Sequence, residues 1–238
     1  MDDDLKQLLA AGRVEEALAR VQLTGAGPRA ALEVLAEIRL LLRARLYDKA
    51  LELAREKKQV MADVTDPDEL ERALADLAAE RFEPWLEDPI VGAEAWLQKG
   101  LLTVAEGDLK GGRAAFAEAT RRDRAHWRAW TNLGNAELEL GNLEEAEKAY
   151  AEAKKRNENY PEVYQGLAAL AKKQGKIDQM VKNLKLAQKK RMIPRDEQLP
   201  GAVMPVRRAG LGGLFSWRNR WIIWIALILL AYWWVRGR

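Results

Sequence analysis

The sequence has no cysteine and a single histidine, and each shortage excludes a class of site. Without cysteine there is no disulfide framework and no thiolate ligand for a metal. With His126 as the one imidazole, neither a zinc site nor acid–base catalysis near neutral pH has its usual residues. A phosphate-binding loop and a Ser/His/Asp set are also missing from the sequence. We therefore expect no enzymatic activity, no catalytic residue, no metal and no cofactor.

The N-terminus also lacks the basic stretch and apolar core of a secretory signal. It begins instead with Met1, Asp2, Asp3 and Asp4. Aspartates favour the first turn of a helix because the helix macrodipole places partial positive charge there. We therefore expect a helix to begin here and the N-terminal part of the chain to lie in the cytoplasm.

Four kinds of residue recur at a spacing of 34 residues between residues 93 and 194. Glycine, a large aromatic residue, a bulky apolar residue and alanine each keep this period independently. A period of this length is typical of stacked helix–turn–helix units. The recurring residues are Gly107, Gly141 and Gly175; Trp96, Trp130 and Tyr164; Phe116, Tyr150 and Leu184; and Ala119, Ala153 and Ala187.

The second unit, residues 127–160, has the most complete pattern. It carries Trp130, Leu133, Gly134, Ala146, Tyr150 and Ala153 in one frame. In these positions the unit resembles the tetratricopeptide repeat (TPR) family. The resemblance implies an all-α, TPR-type solenoid of helical hairpins with three units, 93–126, 127–160 and 161–194. It also implies that Trp96, Trp130, Phe116 and Tyr150 belong to the core and not to a ligand site.

Residues 1–58 show helical apolar spacing with a weaker motif. Ala17 and Ala50 lie 33 residues apart in similar contexts. We interpret this stretch as degenerate TPR-like hairpins, and a plain helical bundle is the alternative. Residues 59–92 break the spacing with prolines and a helix start at Asp66. They predict an irregular helical spacer, or the completion of an irregular repeat.

In TPR solenoids partners bind on the concave face, at first-helix positions that the motif leaves free. Polar residues of mixed charge at these positions suit an extended peptide or a partner helix. An ordinary solvated face is the alternative. The predicted groove residues are Gln98, Arg128, Thr131, Asn132, Asn135, Glu139, Gln165, Lys172 and Lys173.

One TPR subtype grips the terminal carboxylate of its partner with Lys and Asn in the first unit, Asn in the second, and Lys and Arg in the third. In this sequence Asn132 fits the middle position. The first-unit positions hold Leu97 and Leu101, and the third-unit positions hold Glu162 and Gly166. The resemblance therefore does not extend to that carboxylate clamp.

Charge is distributed unevenly along the chain. Residues 1–92 carry a net charge of −7, whereas residues 171–191 carry +7. A basic surface suits anionic lipid headgroups or nucleic acid. The apolar run that follows favours lipid, so no nucleic acid partner is expected. The predicted membrane-surface residues are Lys182, Lys185, Lys189, Lys190, Arg191, Arg207, Arg208, Arg218 and Arg220.

Residues 195–220 have the Pro/Gly/Arg composition of a flexible linker, and residues 221–235 contain no charge. As a helix this apolar run is about 22 Å long, short of the ~30 Å hydrocarbon core of a bilayer. Flanking Arg220 and Arg236 can extend its reach, so we predict a single transmembrane helix. A buried core helix is the alternative. The predicted anchor residues are Trp221, Trp224, Tyr232, Trp233 and Trp234.

Together these features predict a membrane-tethered TPR adaptor that recruits or assembles protein partners at the cytoplasmic face of a membrane. More arginines precede the apolar run than follow it, which favours a cytoplasmic N-terminal domain and a C-terminus across the membrane. The bacterial inner membrane is the expected location. The alternative is a fixed accessory subunit of a larger integral membrane complex, with the C-terminal helix packed against other spans. The expected partners are proteins and membrane lipids.

Overall fold

A computed structural model describes residues 2–195 and 197–200 of the chain. Within these ranges the chain forms α-helices and one 3-10 turn (Glu83–Trp85), with no strand, which confirms the predicted all-α class. In chain order the helices are α1 (Asp3–Ala10), α2 (Val14–Thr24), α3 (Arg29–Arg43), α4 (Tyr47–Glu56), α5 (Lys58–Met61), α6 (Pro67–Ala78), α7 (Gly92–Ala105), α8 (Leu109–Arg122), α9 (Trp127–Glu139), α10 (Leu143–Arg156), α11 (Pro161–Lys173) and α12 (Ile177–Arg191).

Residues 2–91, here called the N-terminal block, are a series of short helices that pack in order. Helix α2 packs against α1 and α3, and α4 packs against α3 and α6. Helix α1 begins at Asp2, whose Oδ1 accepts a hydrogen bond from the Leu5 amide at 2.7 Å. Helix α6 begins at Asp66, whose Oδ1 accepts the amides of Asp68 and Glu69 at 2.9 and 3.2 Å. The predicted helix start at Asp66 is confirmed.

The apolar core of the N-terminal block extends into α7. Leu35, Ile38 and Leu74 are fully buried in it, and Val91 and Ala95 belong to the same cluster. Fully burying one such aliphatic side chain contributes roughly 1.5–3 kcal/mol. The N-terminal block and the first hairpin of the repeats are therefore joined by a shared apolar core.

Helices α7 to α12 form consecutive antiparallel hairpins. Helix α7 packs on α8, α9 on α10 and α11 on α12, while α8 packs on α9 and α10 on α11. Gly107, Gly141 and Gly175 follow the first helix of each hairpin with φ values of 95, 84 and 73°. Glycine adopts this left-handed conformation without steric cost, which allows the chain to leave the helix. The helical repeat architecture agrees with the sequence prediction.

Tyr150 fills the space between the second and third hairpins. It is fully buried, and its ring lies against Gly134 and Gly166. A Cβ atom at these two glycines would lie 2.7 and 2.3 Å from the ring, so neither position has room for a side chain. Trp96 and Trp130 also pack against the apolar clusters of the repeats, as predicted for core residues, although both side chains are only half-buried.

The C-terminal predictions concern residues outside the described ranges. The linker from residue 201 onward and the predicted span 221–235 lie there. Among the helices of residues 2–195, none combines the length and the apolar character needed to cross a membrane. The predicted residues outside the described ranges are Arg207, Arg208, Arg218, Arg220, Trp221, Trp224, Tyr232, Trp233 and Trp234.

Candidate protein-interaction groove

Most of the predicted groove residues are accessible on the first helices of the second and third hairpins. Asn135 and Glu139 are exposed on α9, and Gln165, Lys172 and Lys173 are exposed on α11. Lys173 Nζ donates to the backbone oxygen of Leu138 at 2.7 Å, which links α11 to the end of α9. Asn132 is half-buried. These side chains remain candidates for contact with a partner.

Three predicted groove residues are buried, and their assignment to partner binding is corrected here. Gln98 donates to the Tyr47 hydroxyl at 3.0 Å and to the Leu77 backbone oxygen at 2.9 Å. Thr131 is 2% exposed and donates to a backbone oxygen of its own helix. Arg128 is 7% exposed and is paired inside the protein. Gln98 and Arg128 are buried because the N-terminal block packs against the first helices at these positions.

The buried partner of Arg128 is Glu94 on α7, another first-helix position. Arg128 Nη1 donates to both carboxylate oxygens of Glu94, at 3.0 and 3.1 Å, and to the backbone oxygen of Leu42 at 3.2 Å. Tyr47 donates its hydroxyl hydrogen to the same carboxylate. His126 Nε2 lies 2.9 Å from Glu94 Oε2. One carboxylate therefore joins α4, α7, α9 and the loop before α9.

The tautomer of His126 follows from its two contacts. Its Nδ1 accepts the Ala129 amide at 3.3 Å, so the ring hydrogen lies on Nε2 and is donated to Glu94. Burial alone would raise the pKa of Glu94, but the Arg128 charge and the hydrogen bonds from His126 and Tyr47 hold it below its ordinary value. Glu94 is therefore ionised and fully satisfied at neutral pH.

A second buried carboxylate, Asp123, lies in the loop between α8 and α9. Arg43 grips it with two hydrogen bonds, from Nε at 2.6 Å and from Nη2 at 2.9 Å. Arg39 Nη2 lies 3.3 Å from the same group, and Glu15 on α2 pairs with Arg43. Burial opposes ionisation of Asp123, yet the two arginines hold its pKa well below the ordinary value. These ion pairs connect α2 and α3 to the loop before α9, and so to the repeats.

Acid is expected to destabilise the protein through these two carboxylates. A carboxylate with a depressed pKa stabilises the fold above its unfolded-state pKa, and that contribution is lost as the pH falls through the folded-state pKa. The ordinary values are 4.5 for Glu94 and 3.8 for Asp123, so the free energy of unfolding should fall progressively below about pH 5. Urea titrations across this range measure it. An Asp123→Asn variant whose stability varies with pH as steeply as that of the wild type would contradict the assignment for Asp123.

The structure also contains a cavity of about 520 Å³ on the side of the first helices. It lies between the end of α3, the starts of α9 and α11, and residues 193–195 and 198–199, which follow α12. Its polar lining includes Asn132, Asn157 and Tyr160. Burial and the nearby Glu162 carboxylate raise the pKa of Tyr160 to about 12, so its hydroxyl keeps its hydrogen at neutral pH. The cationic lining residues are Arg45, Arg128, Arg191 and Arg195.

Comparison with known families identifies the repeats. Residues 97–161 match the tetratricopeptide repeat family. This TPR match spans most of α7, all of α8, α9 and α10, and the first residue of α11. It includes the second unit, on which the sequence resemblance was based, and so it confirms that resemblance there.

Similar solved structures include those of MamA. One crystal structure of MamA is 19% identical, with a TM-score of 0.40, and covers 62% of this chain and 86% of that chain. A MamA AMB-1 structure is also 19% identical, with a TM-score of 0.39, and covers 67% of this chain and 90% of that chain. A comparison with curated proteins found no match.

The cavity was not predicted from the sequence, because its lining residues come from segments that are far apart in the chain. Arg195 was assigned to the start of a linker and Arg191 to a membrane surface. No periodic signal marks where the chain goes after α12, so the return of residues 193–195 and 198–199 toward α9 and α11 was not predictable. The one signal in this stretch is a single arginine on each side of Pro194, at Arg191 and Arg195.

Proposed function

We propose that this protein is an adaptor that binds other proteins through its TPR groove and is tethered to a membrane by residues 221–235. The observation that carries the proposal is the family match over residues 97–161, in a solenoid whose first helices keep polar side chains exposed. Such solenoids present extended concave surfaces, which is how repeat proteins bind their partners. No enzymatic activity is proposed.

Fewer residues are accessible for partner binding in the groove than the sequence pattern predicted. Because Gln98, Arg128 and Thr131 are buried, partner contacts depend on the exposed positions of α9 and α11. Glu139 and Lys173 lie 3.8 Å apart across these helices, and both are well exposed. An exposed pair of this kind contributes little to stability and can exchange its partner for a charge on a bound peptide.

The membrane tether is proposed from the sequence of residues 221–235 and is supported by the outer face of α12. Val181 and Leu184 are 40% and 48% exposed on this helix, beside the exposed Lys182 and Lys185. Apolar side chains flanked by lysines suit the headgroup region of an anionic bilayer. The proposed orientation places the TPR domain in the cytoplasm, at the inner membrane of a bacterium.

Membrane fractions from cells that produce the full chain test both parts of the proposal. We expect the protein to stay with the membrane during a carbonate wash and to retain protein partners after mild detergent extraction. Replacing Lys172 and Lys173 with glutamate should remove most of the bound partner without affecting membrane attachment, because these two exposed lysines lie on the groove and not on the anchor.

A matched control is Lys182→Glu with Lys185→Glu, which changes the net charge equally on the outer face of α12. Partners should remain bound to this control. Release of the chain by carbonate would show that there is no integral anchor, and equal partner loss from both double variants would argue against the groove. Stoichiometric recovery with integral membrane subunits, unchanged by Lys172→Glu and Lys173→Glu, would instead favour a fixed accessory subunit.

A further inference from the structure

The cavity of about 520 Å³ differs from the exposed groove residues in that four arginines line it. Three of its four arginines carry charge that the described residues leave largely uncompensated. Arg128 is neutralised by Glu94, and Arg45 has one loose contact, 3.5 Å from Glu80, in which both side chains are exposed. Arg191 and Arg195 form no ion pair with any residue in the described ranges. The lining therefore holds an excess of positive charge.

Glu162 is the one acidic side chain in this lining, among the residues that the structure describes. Its single negative charge offsets one of the three positive charges of Arg45, Arg191 and Arg195. The lining therefore keeps a net positive charge. Clefts lined by one sign of charge concentrate ligands of the opposite sign. The cavity therefore favours an anionic ligand.

The start of α11 adds to the same preference. Tyr160 is the N-cap residue of this helix, and no side chain caps the helix start. The first amides of a helix carry partial positive charge and point away from the helix toward any acceptor in front of it. Pro161 has no amide hydrogen and the Tyr160 amide donates to the Asn157 backbone oxygen at 3.4 Å, so among the lining residues this contribution comes from the Glu162 amide.

Neutral polar groups around the cavity also have unused hydrogen-bonding capacity. The Tyr160 hydroxyl makes no hydrogen bond to another residue in the described part of the chain. Asn132 donates through Nδ2 to the Arg128 backbone oxygen, and Asn157 accepts the Asn159 amide through Oδ1. In the described ranges Asn157 Nδ2 has no acceptor and can donate to a carboxylate, whereas Asn132 Oδ1 has no donor and can accept from a peptide amide. The site combines charge with directed donors, as peptide carboxylates require.

We propose that this cavity binds an acidic segment of a partner protein, with Asp or Glu carboxylates paired to Arg191 and Arg195. This inference rests on the proposed adaptor function and specifies the chemistry of the partner. A peptide is favoured because the cavity is continuous with α9 and α11, the helices that carry the exposed groove residues. An extended chain lying along these two helices would therefore reach the cavity.

The geometry differs from that of the terminal-carboxylate clamp of other TPR proteins. Two of the arginines come from outside the repeats: Arg45 follows α3 of the N-terminal block, and Arg195 follows α12. The site thus depends on segments on either side of the repeats. Acidic side chains within a segment, and not a free chain end, are the expected ligand.

Fluorescence anisotropy with the full chain in detergent micelles tests this proposal. The probe is a labelled hexapeptide of alternating Asp and Glu, blocked at both ends. We expect saturable binding that weakens as salt is raised, since screening reduces attraction between exposed charges. Arg191→Glu with Arg195→Glu should weaken binding by about tenfold or more, because it converts attraction into repulsion. Arg191→Gln with Arg195→Gln should give a smaller loss.

The control is Lys182→Glu with Lys185→Glu, which changes net charge equally and leaves the cavity intact. Equal weakening in this control would show a nonspecific charge effect and overturn the proposal. Binding of a hexaglutamine peptide with a free carboxylate, as tight as that of the blocked acidic probe, would also overturn it. Complete displacement of the acidic probe by equimolar inorganic phosphate would assign the site to phosphate instead.

The same variants separate this inference from the adaptor function. If the wild-type chain and Arg191→Glu with Arg195→Glu retain the same partners from membranes, the acidic-segment proposal fails and the adaptor function stands. If the wild type retains no partner while the acidic probe still binds, the adaptor function fails. Circular dichroism melting of each variant checks that the fold is kept, which is expected because both arginines are exposed.

Discussion

Glu94→Gln is expected to lower the free energy of unfolding by about 3–5 kcal/mol, because it leaves Arg128 buried without a counter-charge. The carboxylate is 1% exposed and accepts hydrogen bonds from Tyr47, His126 and Arg128. Glutamine keeps the size of the side chain but replaces one acceptor oxygen with a donor that faces other donors. The loss therefore combines an unpaired charge with an unfavourable hydrogen-bond arrangement.

Urea denaturation followed by tryptophan fluorescence measures this change. An exposed substitution of the same type, Glu147→Gln on α10, is the matched control and should change stability by less than about 0.5 kcal/mol. Combining Glu94→Gln with Arg128→Met should recover part of the loss, because the double variant removes both charges from the interior. A single variant as stable as the wild type would show that the pair is not buried in solution.

Tyr150→Ala should also cost about 3–5 kcal/mol, for a different reason. The ring is completely buried between the glycines of α9 and α11, so its removal leaves a cavity in the interface between the second and third hairpins. The backbones on both sides are rigid helices, which limits how far they can relax into the space. The cost should therefore be near the upper part of the range for large-to-small substitutions.

The conservative variant Tyr150→Phe isolates the polar part of this contact. The Tyr150 hydroxyl donates to Asn135 Oδ1 at 2.8 Å, and its loss should cost about 1 kcal/mol. Thermal melting monitored by circular dichroism compares the two variants. Equal losses for Tyr150→Ala and Tyr150→Phe would mean that the hydroxyl, and not the packing of the ring, holds the hairpins together.

The 34-residue period predicted the repeat part of the fold because each motif residue acts on a neighbour in its own hairpin or the next one. Gly107, Gly141 and Gly175 end the first helices, and Tyr150 packs one hairpin on the next. Such contacts are local in sequence, and local patterns record them. The same reasoning supplied the exposed groove residues of α9 and α11.

The sequence did not predict the contacts that cross from the N-terminal block. Arg43 and Asp123 are 80 residues apart, and Arg128 and Leu42 are 86 residues apart. No period links these positions, and arginines and acids are common on any solvated helix. Arg128 was therefore assigned to the groove, although the N-terminal block encloses it. Only the three-dimensional packing of α3 against the repeats distinguishes a buried charge from an exposed one.

The reach of Arg39 and Arg43 into the loop before α9 also limits how this protein can change over evolutionary time. Repeat arrays commonly gain or lose whole hairpins, since each unit touches only its neighbours. Here a hairpin inserted between the N-terminal block and α7 would move two guanidinium groups away from Asp123 and leave that acid isolated. The ancestry of this chain should therefore show a constant number of hairpins between the N-terminal block and α9.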